Sequence, residues 1–592
     1  MYNGLDHKVN RDKIEKIRHF LVQQELDGFV IKRGDEYLNE YVAPYAERLA
    51  WLTGFTGSAG LAILLQSKGA VFSDGRYILP MSKQLDPQIW QCFHNTKHPP
   101  KIWLLKQFER TVKLGYDPKL MSVKDINALS DKKINLIPLK INPIDQFWLD
   151  KPKPPSHPIL SHSEAFTGQT SEEKLKLIRE NLKSHHDDAY ILCDPTSVSW
   201  LLNIRGSDVP YTPIPLVYAI INQKNVFLYA EKQQYTKKIR QFLNQNVIFR
   251  QHQQLEQDIT SFKKGSKVGY DLSQTSVWFK QLLEEQKIVS HPRPNPCLLL
   301  KAKKNNVEQE GARTSHRRDA LALCRFFYWL EKQGQGCTEN DLAQKLIVFR
   351  KEISQSYYKE ESFPAIVAVG KNAAIIHYQP SKKTASTLTH NNIFLIDSGG
   401  QYCDGTTDVT RTLWYGPSPP PPPLVKASTL VLKGHIALAK AIFPKGTIGS
   451  QLDSIARYSL WQNGLNYDHG TGHGVGSFLS VHEGPCGIST SCNVPLEEGM
   501  ILSNEPGYYL PGQFGIRHES LLLVVKSAYE NYLMFEPLTL VPFDKKIIDK
   551  NLLTEEENRW LTTYHQRIYE TLSPMLSSAE QLWLKKCCSP FI

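Results

Sequence analysis

Missing from this 592-residue sequence is any stretch approaching the ~20 consecutive apolar residues that a membrane-crossing helix requires. No membrane association is expected. The N-terminal segment MYNGLDHKVNRDKIEKIRHF also lacks the basic-then-apolar pattern of a signal peptide, and cytoplasm is the expected location. The ten cysteines are dispersed, with only Cys587 and Cys588 adjacent and no CxxC knuckle, which argues against a disulfide framework or a cysteine-ligated zinc site. They read mostly as core thiols in a reducing compartment. Charge of one sign is not gathered into runs: the net +11 is spread along the chain, so nucleic acid is not an expected partner. With 41% hydrophobic and 22% charged residues, several cores can be buried, and the length suggests about three or four domains.

A repeat sets the architecture. Ile17 and Leu21 run into the apolar stretch Asp27 to Ile31, and Ile178 and Leu182 run into Asp188 to Leu192 at the same distance. In both copies a helical period gives way to a short strand. Trp51-Leu52 with Gly57-Ser58 and Trp200-Leu201 with Gly206-Ser207 follow at identical spacing, and each copy adds two more strands (61–65 and 70–73; 216–221 and 226–229). Two similar α/β domains in tandem account for this. The proline-rich segment 151–158 between them reads as a linker.

A third, larger domain opens with a long helix over 306–333 carrying Ala320, Leu323, Phe327 and Leu330 on one face. Thr338 and Asp341 form a capping box for the next helix, and Thr554 and Glu557 do so for a C-terminal helix bearing Leu561, Tyr564, Ile568 and Leu572. The run Pro419 to Pro423 reads as a stiff surface loop before a helix starting near Ala427; a polyproline docking motif is the alternative.

The chemistry concentrates in this third domain. Asp397 ends the apolar run IFLI, and Asp408 follows in DGTTDVTRT; a strand, a glycine-containing turn and a returning strand would bring both carboxylates together. A strand cap and a solvated carboxylate are the plainer alternative. HGTGHGVG, from His469 through His473 to Gly476, lets the backbone take unusual conformations or approach a ligand closely. It lacks the Lys-Ser/Thr of a phosphate-binding loop. Glu505 and Glu519 each fall in an apolar, strand-like stretch, where an unpartnered carboxylate is costly. Strand alternation puts Arg517 beside Glu519, so a simple ion pair is one reading of that glutamate. Taken together, Asp397, Asp408, His473, Glu505 and Glu519 offer four carboxylates and one imidazole, a set suited to two divalent cations, with Mn²⁺ favoured over structural zinc by the oxygen-rich donors. Two such ions sharing a water can lower its pKa and polarise a carbonyl, which is hydrolytic chemistry.

DSGGQYCDGTTDVTRT from Asp397, HGTGHGVG from His469, NEPGYY from Asn504 and GIRHE from Gly515 make the chain resemble the long, three-domain Xaa-Pro aminopeptidases (aminopeptidase P) of peptidase family M24. The resemblance covers nearly the whole sequence. It implies an α/β (α+β) fold of two creatinase-like domains (1–150 and 159–300), a pita-bread catalytic domain (301–545) and a helical C-terminal extension (546–592). It implies the same five metal ligands, with His377 at the substrate mouth, His482 near the scissile bond, His469 near a proline pocket and Arg76 as a substrate-associated arginine. A homodimer is also implied. The proline run at 419–423 is not part of the family pattern.

An Xaa-Pro bond is a tertiary amide without an N–H on its second residue, so its cleavage needs a dedicated pocket. On this reading peptides beginning Xaa-Pro are the substrates, a bridging hydroxide attacks the carbonyl, and Glu505 carries a proton to the departing nitrogen. His377 and His482 would hold the peptide or the oxyanion, while Tyr509 and Arg517 support the ligands. A prolidase with the same ligands, or a non-catalytic pita-bread binding module, is the alternative. A module of the latter kind would have lost ligands that this chain keeps.

Overall fold

The computed structural model describes residues 7–243 and 247–591; the first six residues of the N-terminal segment lie outside that range. The chain divides into two compact units, one of residues 1–164 and 169–298, the other of 165–168 and 299–592.

In the first unit the repeat is visible as topology. The helix His7–Gln23 buries Ile14, Ile17 and Leu21, spaced to share one face, and leads into the strand Gly28–Lys32. That strand is central in a six-stranded sheet ordered Trp90–His94, Gly69–Ser73, Leu61–Leu65, Gly28–Lys32, Val112–Tyr116, Ile134–Pro138. The second copy has the same order: Val247–Gln251, Val226–Ala230, Tyr218–Asn222, Ala189–Leu192, Lys267–Tyr270, Val289–Pro292. Pairing directions match as well. In each sheet the first three strands in chain order, starting from Gly28–Lys32 or Ala189–Leu192, pair antiparallel and the remaining three pairs are parallel. Trp51 and Trp200 are both buried, which explains their matched spacing as packing.

The second unit opens with the helix Asn306–Gln333, whose Ala320, Leu323, Phe327 and Leu330 enter a core shared with Leu342, Phe394, Leu561 and Ile568. Both expected capping boxes form, at Thr338/Asp341 and Thr554/Glu557. The C-terminal helices Glu555–Leu572 and Ser578–Cys588 are therefore part of this core. A three-stranded antiparallel sheet places Asn392–Ser398 between Ile366–Val369 and Val409–Tyr415. A six-stranded antiparallel sheet runs Ile442–Pro444, Tyr532–Pro537, Ser520–Lys526, Ile501–Asn504, Gly472–Gly474, Glu483–Ile488. These two sheets carry the candidate site.

Two expectations need correction. The helix placed near Ala427 begins at Pro422, so Pro422 and Pro423 form its first turn, where a missing N–H leaves no bond unmade. All ten cysteines are free, yet only five are buried; the others occupy half-exposed positions on strands, turns and the last helix. Among the described residues no helix is long and apolar enough to cross a membrane.

Candidate metal centre

Asp397 lies within its strand opposite Thr410, and Asp408 immediately precedes the returning strand, so hairpin pairing brings the two carboxylates to one end of the small sheet. Asp397 and Asp408 are both buried. His473 sits in the short strand Gly472–Gly474 of the larger sheet. Glu505 follows the neighbouring strand and is held there by its N–H donating to Thr471 O at 2.8 Å. Glu519 lies between two strands rather than inside one, and its N–H donates to Thr410 O at 3.1 Å, which ties the two sheets together at the site.

The side chains converge. Ligand atoms of Asp408, His473 and Glu519 all lie within 4.8 Å of one another. His473 Nε2 is 3.4 Å from Asp408 Oδ2 and 3.5 Å from Glu505 Oε1. His473 Nδ1 faces Gly474 O at 3.0 Å; a carbonyl only accepts, so Nδ1 carries the proton and Nε2 is left to coordinate. Asp397 Oδ1 and Asp408 Oδ1 are buried with no hydrogen-bond donor among the described residues. Buried carboxylate oxygens without donors are costly, and a cation relieves that cost. The donor set therefore fits divalent metal ions.

Electrostatics agree. Burial pushes the Asp397 carboxyl up to about 7, Arg517 opposes this, and Asp408 and Glu505 add to it. Burial and neighbouring carboxylates likewise raise Glu505 and raise Glu519 well above the usual range. Burial works against charge on His473, yet Asp408 and Glu505 push its pKa up to about 9. Without cations the pocket holds more negative charge than it can carry comfortably.

Arg517 is not the partner of Glu519 that strand alternation suggested. It ends its strand and turns to Asp397, Nη2 to Oδ2 2.6 Å, while Glu519 Oε2 accepts from Thr410 Oγ1 at 2.6 Å. Arg517 Nη1 donates to Tyr509 Oη at 2.8 Å, and Tyr509 Oη lies 3.0 Å from His469 Nε2. Burial pushes the Tyr509 phenol up to about 12, so it remains a neutral donor. The His482 ring packs edge-on to His473 with centroids 4.4 Å apart. His377 follows Ile376, whose carbonyl oxygen faces Arg517 Nη1 at 3.5 Å. Arg76 belongs to the first unit, where Asp74 grips it through two hydrogen bonds of 2.8 Å.

The glycines of HGTGHGVG are small for a different reason than expected. None has positive φ; a Cβ on Gly472 would stand 1.9 Å from Ser503 O and one on Gly474 2.2 Å from Glu483 O. They allow neighbouring strands to meet closely. Thr410, two residues after Asp408, and Ser503, two before Glu505, carry no signal of their own in the sequence beyond that closeness to ligands, yet Thr410 donates to Glu519 Oε2 at 2.6 Å and Ser503 to Glu505 Oε1 at 3.2 Å.

Models for four regions match the sequence: the creatinase/prolidase N-terminal domain at residues 13–144 and again at 150–308, metallopeptidase family M24 at 310–526, and the C-terminal region of peptidase M24 at 531–591. A protein of Coprinopsis cinerea described as a probable Xaa-Pro aminopeptidase P is 37% identical over 99% of both chains. Human Xaa-Pro aminopeptidase 2 is 36% identical, covering 97% of this chain and 88% of its own. The crystal structure of X-prolyl aminopeptidase from Caenorhabditis elegans, described as a cytosolic enzyme with a di-nuclear active site, superposes with a TM-score of 0.93 at 33% identity, covering 98% of this chain and all of that one.

Proposed function

The chain belongs to the Xaa-Pro aminopeptidases of metallopeptidase family M24, and from that membership we propose that its pocket works on peptides with proline in second position, releasing the residue before it. Asp397, Asp408, His473, Glu505 and Glu519 would hold two divalent cations, with Mn²⁺ the first candidate on the oxygen-rich donor set. When bound, the cations supply Lewis acidity and acidify a water to serve as nucleophile. The observation that carries the reading is the convergence of Asp408, His473 and Glu519 within 4.8 Å beside carboxylate oxygens that lack donors.

The residues around the pocket divide the remaining work. Glu505, its proton affinity raised by burial, accepts a proton at Oε1 and returns it to the proline nitrogen, which leaves poorly as an anion. Ser503 Oγ holds that oxygen in place by donating to it. His482, packed on His473, and His377 hold the peptide and meet the developing oxyanion. His469, aimed by Tyr509, borders the proline ring. Arg76, oriented by Asp74, takes a substrate-associated role on the family resemblance.

The division into 1–150, 159–300, 301–545 and 546–592 belongs to the same proposal and is supported by the four family-model spans. So does a cytoplasmic location, supported by the cytosolic C. elegans neighbour. A homodimer follows from the family resemblance and is testable by light scattering.

The test is release of the first residue from a peptide beginning Arg-Pro-Pro, by chelated enzyme, Mn²⁺-supplemented enzyme and Asp408→Ala. Release is expected only from the supplemented wild type. Activity that survives both exhaustive chelation and the substitution overturns the reading. An Arg-Pro dipeptide run alongside separates aminopeptidase from prolidase activity.

A further inference from the structure

One ion pair outside the ligand set touches both ends of the segment that separates Asp397 from Asp408. Asp319, from the helix Asn306–Gln333, and Arg350, from the helix Glu339–Ser354, have side chains 3% and 0% exposed. Arg350 Nε donates to Asp319 Oδ1 at 2.7 Å and Nη2 approaches Oδ2 at 3.3 Å. The guanidinium then reaches the residues directly after Asp397: Nη2 donates to Ser398 Oγ and Nη1 to Gly399 O, each at 3.1 Å. The carboxylate takes the other end. Asp319 Oδ2 accepts from Thr407 Oγ1 at 2.9 Å, one residue before Asp408, and Oδ1 accepts from Tyr402 Oη at 2.7 Å in the intervening strand Gly400–Tyr402.

The two ends are also pressed together. A Cβ on Gly399 would stand 1.9 Å from Thr407 O, and Gly400 N–H donates to Thr407 Oγ1 at 2.9 Å. A buried ion pair of this kind contributes little net stability against an apolar replacement, so its placement calls for another reason. Arg350 fixes the chain leaving Asp397, Asp319 fixes the chain entering Asp408, and the salt bridge joins the two holds.

We propose that Asp319 and Arg350 are positioning residues that set the separation of the Asp397 and Asp408 carboxylates and so decide whether two cations, rather than one, are held. The proposal rests on the ligand assignment above. Neither residue touches the reacting atoms. Their effect passes through Ser398 and Thr407.

Calorimetric titration of the chelated full-length protein with Mn²⁺ tests this, for wild type, Asp408→Ala, Asp319→Asn, Thr407→Val and Ser398→Ala. Wild type binding two equivalents, with Asp408→Ala impaired, checks the ligand assignment alone; its failure there is separate from failure of the present proposal. Asp319→Asn and Thr407→Val are expected to weaken the second equivalent roughly 10–100-fold more than the first, the usual scale for residues behind metal ligands. The electron paramagnetic resonance signal of spin-coupled Mn²⁺ should give way to that of isolated ions. General loosening of the core would weaken both equivalents alike. If Asp319→Asn fails to fold, Thr407→Val and Ser398→Ala decide the matter: both keep the ion pair, the first removing the bond to Asp319 and the bond from Gly400 N–H, the second the bond from Arg350. Two equivalents at wild-type affinity in the folded variants overturn the proposal, as does equal weakening of both.

Discussion

Arg517 Nη2 stands 2.6 Å from Asp397 Oδ2, and the rest of the same guanidinium is also committed. Nε donates to Thr410 Oγ1 at 3.1 Å, which in turn donates to Glu519 Oε2 at 2.6 Å, while Nη1 holds Tyr509 and through it His469. One planar cation thus joins two proposed ligands to the proposed proline pocket. A lysine keeps the charge but has no fork with which to span three acceptors. Arg517→Lys should therefore lower kcat/KM roughly 10–100-fold and weaken Mn²⁺ binding on the same scale. Steady-state kinetics paired with a metal titration checks it; wild-type affinity in the folded variant contradicts it.

The crowded carboxylates predict an unusual pH response of the metal-free protein. Asp397 titrates near 7 when folded, against about 3.9 in an unfolded chain, and Glu505 and Glu519 are raised as well. Between roughly pH 4 and 7 the folded state therefore binds more protons, and these groups lose stabilising effect as pH rises through that window. His473, raised to about 9, acts in the same direction between roughly 6.5 and 9. Bound cations replace those protons. At a fixed Mn²⁺ concentration the gap in thermal midpoint between loaded and chelated protein should widen from pH 5 to pH 9 as Kd falls, each site contributing about 2.7 kcal/mol once the ion exceeds its Kd a hundredfold. Scanning calorimetry at several pH values would contradict this by finding a constant gap.

Much of this was legible in the sequence because it depends on local pattern. The tandem α/β repeat follows from helical period, strand length and two fixed offsets, and both sheets have the same strand order. Asp397 and Asp408 could be paired because one hairpin carries both. What was not legible depends on contacts between residues 31 to 120 positions apart. Arg517 looks like a neighbour of Glu519 by spacing, yet the chain leaves the strand after Arg517 and the side chain crosses to Asp397. Asp319 lies on a helix read only for its apolar face, and nothing in that periodicity reveals Arg350, Ser398 or Thr407 as its partners.

Behind His482 lies a second charged cluster. Glu483 is buried between Lys301 and Lys304, with Lys301 Nζ 2.8 Å from Oε2 and Lys304 on Oε1. Burial alone would raise its pKa, but the two lysines hold it below the usual range. Its backbone pairs with Gly474, beside His473, so the same residue anchors both histidines. Glu483→Gln removes the carboxylate that faces two buried ammonium groups, Lys304 keeping only its bonds to the carbonyls of Lys301 and Ala302, and should cost about 3–5 kcal/mol, the range for breaking a buried pair. Urea unfolding measures this directly. A loss below about 1 kcal/mol would mean that water and the backbone carbonyls satisfy the lysines without the carboxylate.

The glycines of HGTGHGVG offer a contrast within one segment. Gly472 sits where a Cβ would press 1.9 Å against Ser503 O, and backbone cannot yield as a flexible side chain can. An alanine there must part the strands Gly472–Gly474 and Ile501–Asn504, which carry His473 and lead into Glu505. The bond from His473 N–H to Ser503 Oγ, 2.9 Å long, would be lost with the same movement. At Gly470 the nearest atom to a Cβ is 3.5 Å away, an ordinary contact, and φ is not positive. Gly472→Ala should therefore destabilise the protein by about 1–3 kcal/mol and reduce Mn²⁺ affinity, whereas Gly470→Ala should stay within about 0.5 kcal/mol of wild type. Parallel denaturation and metal titration of the two variants provide the check. Equal behaviour would show that the glycines serve chain flexibility rather than close strand packing.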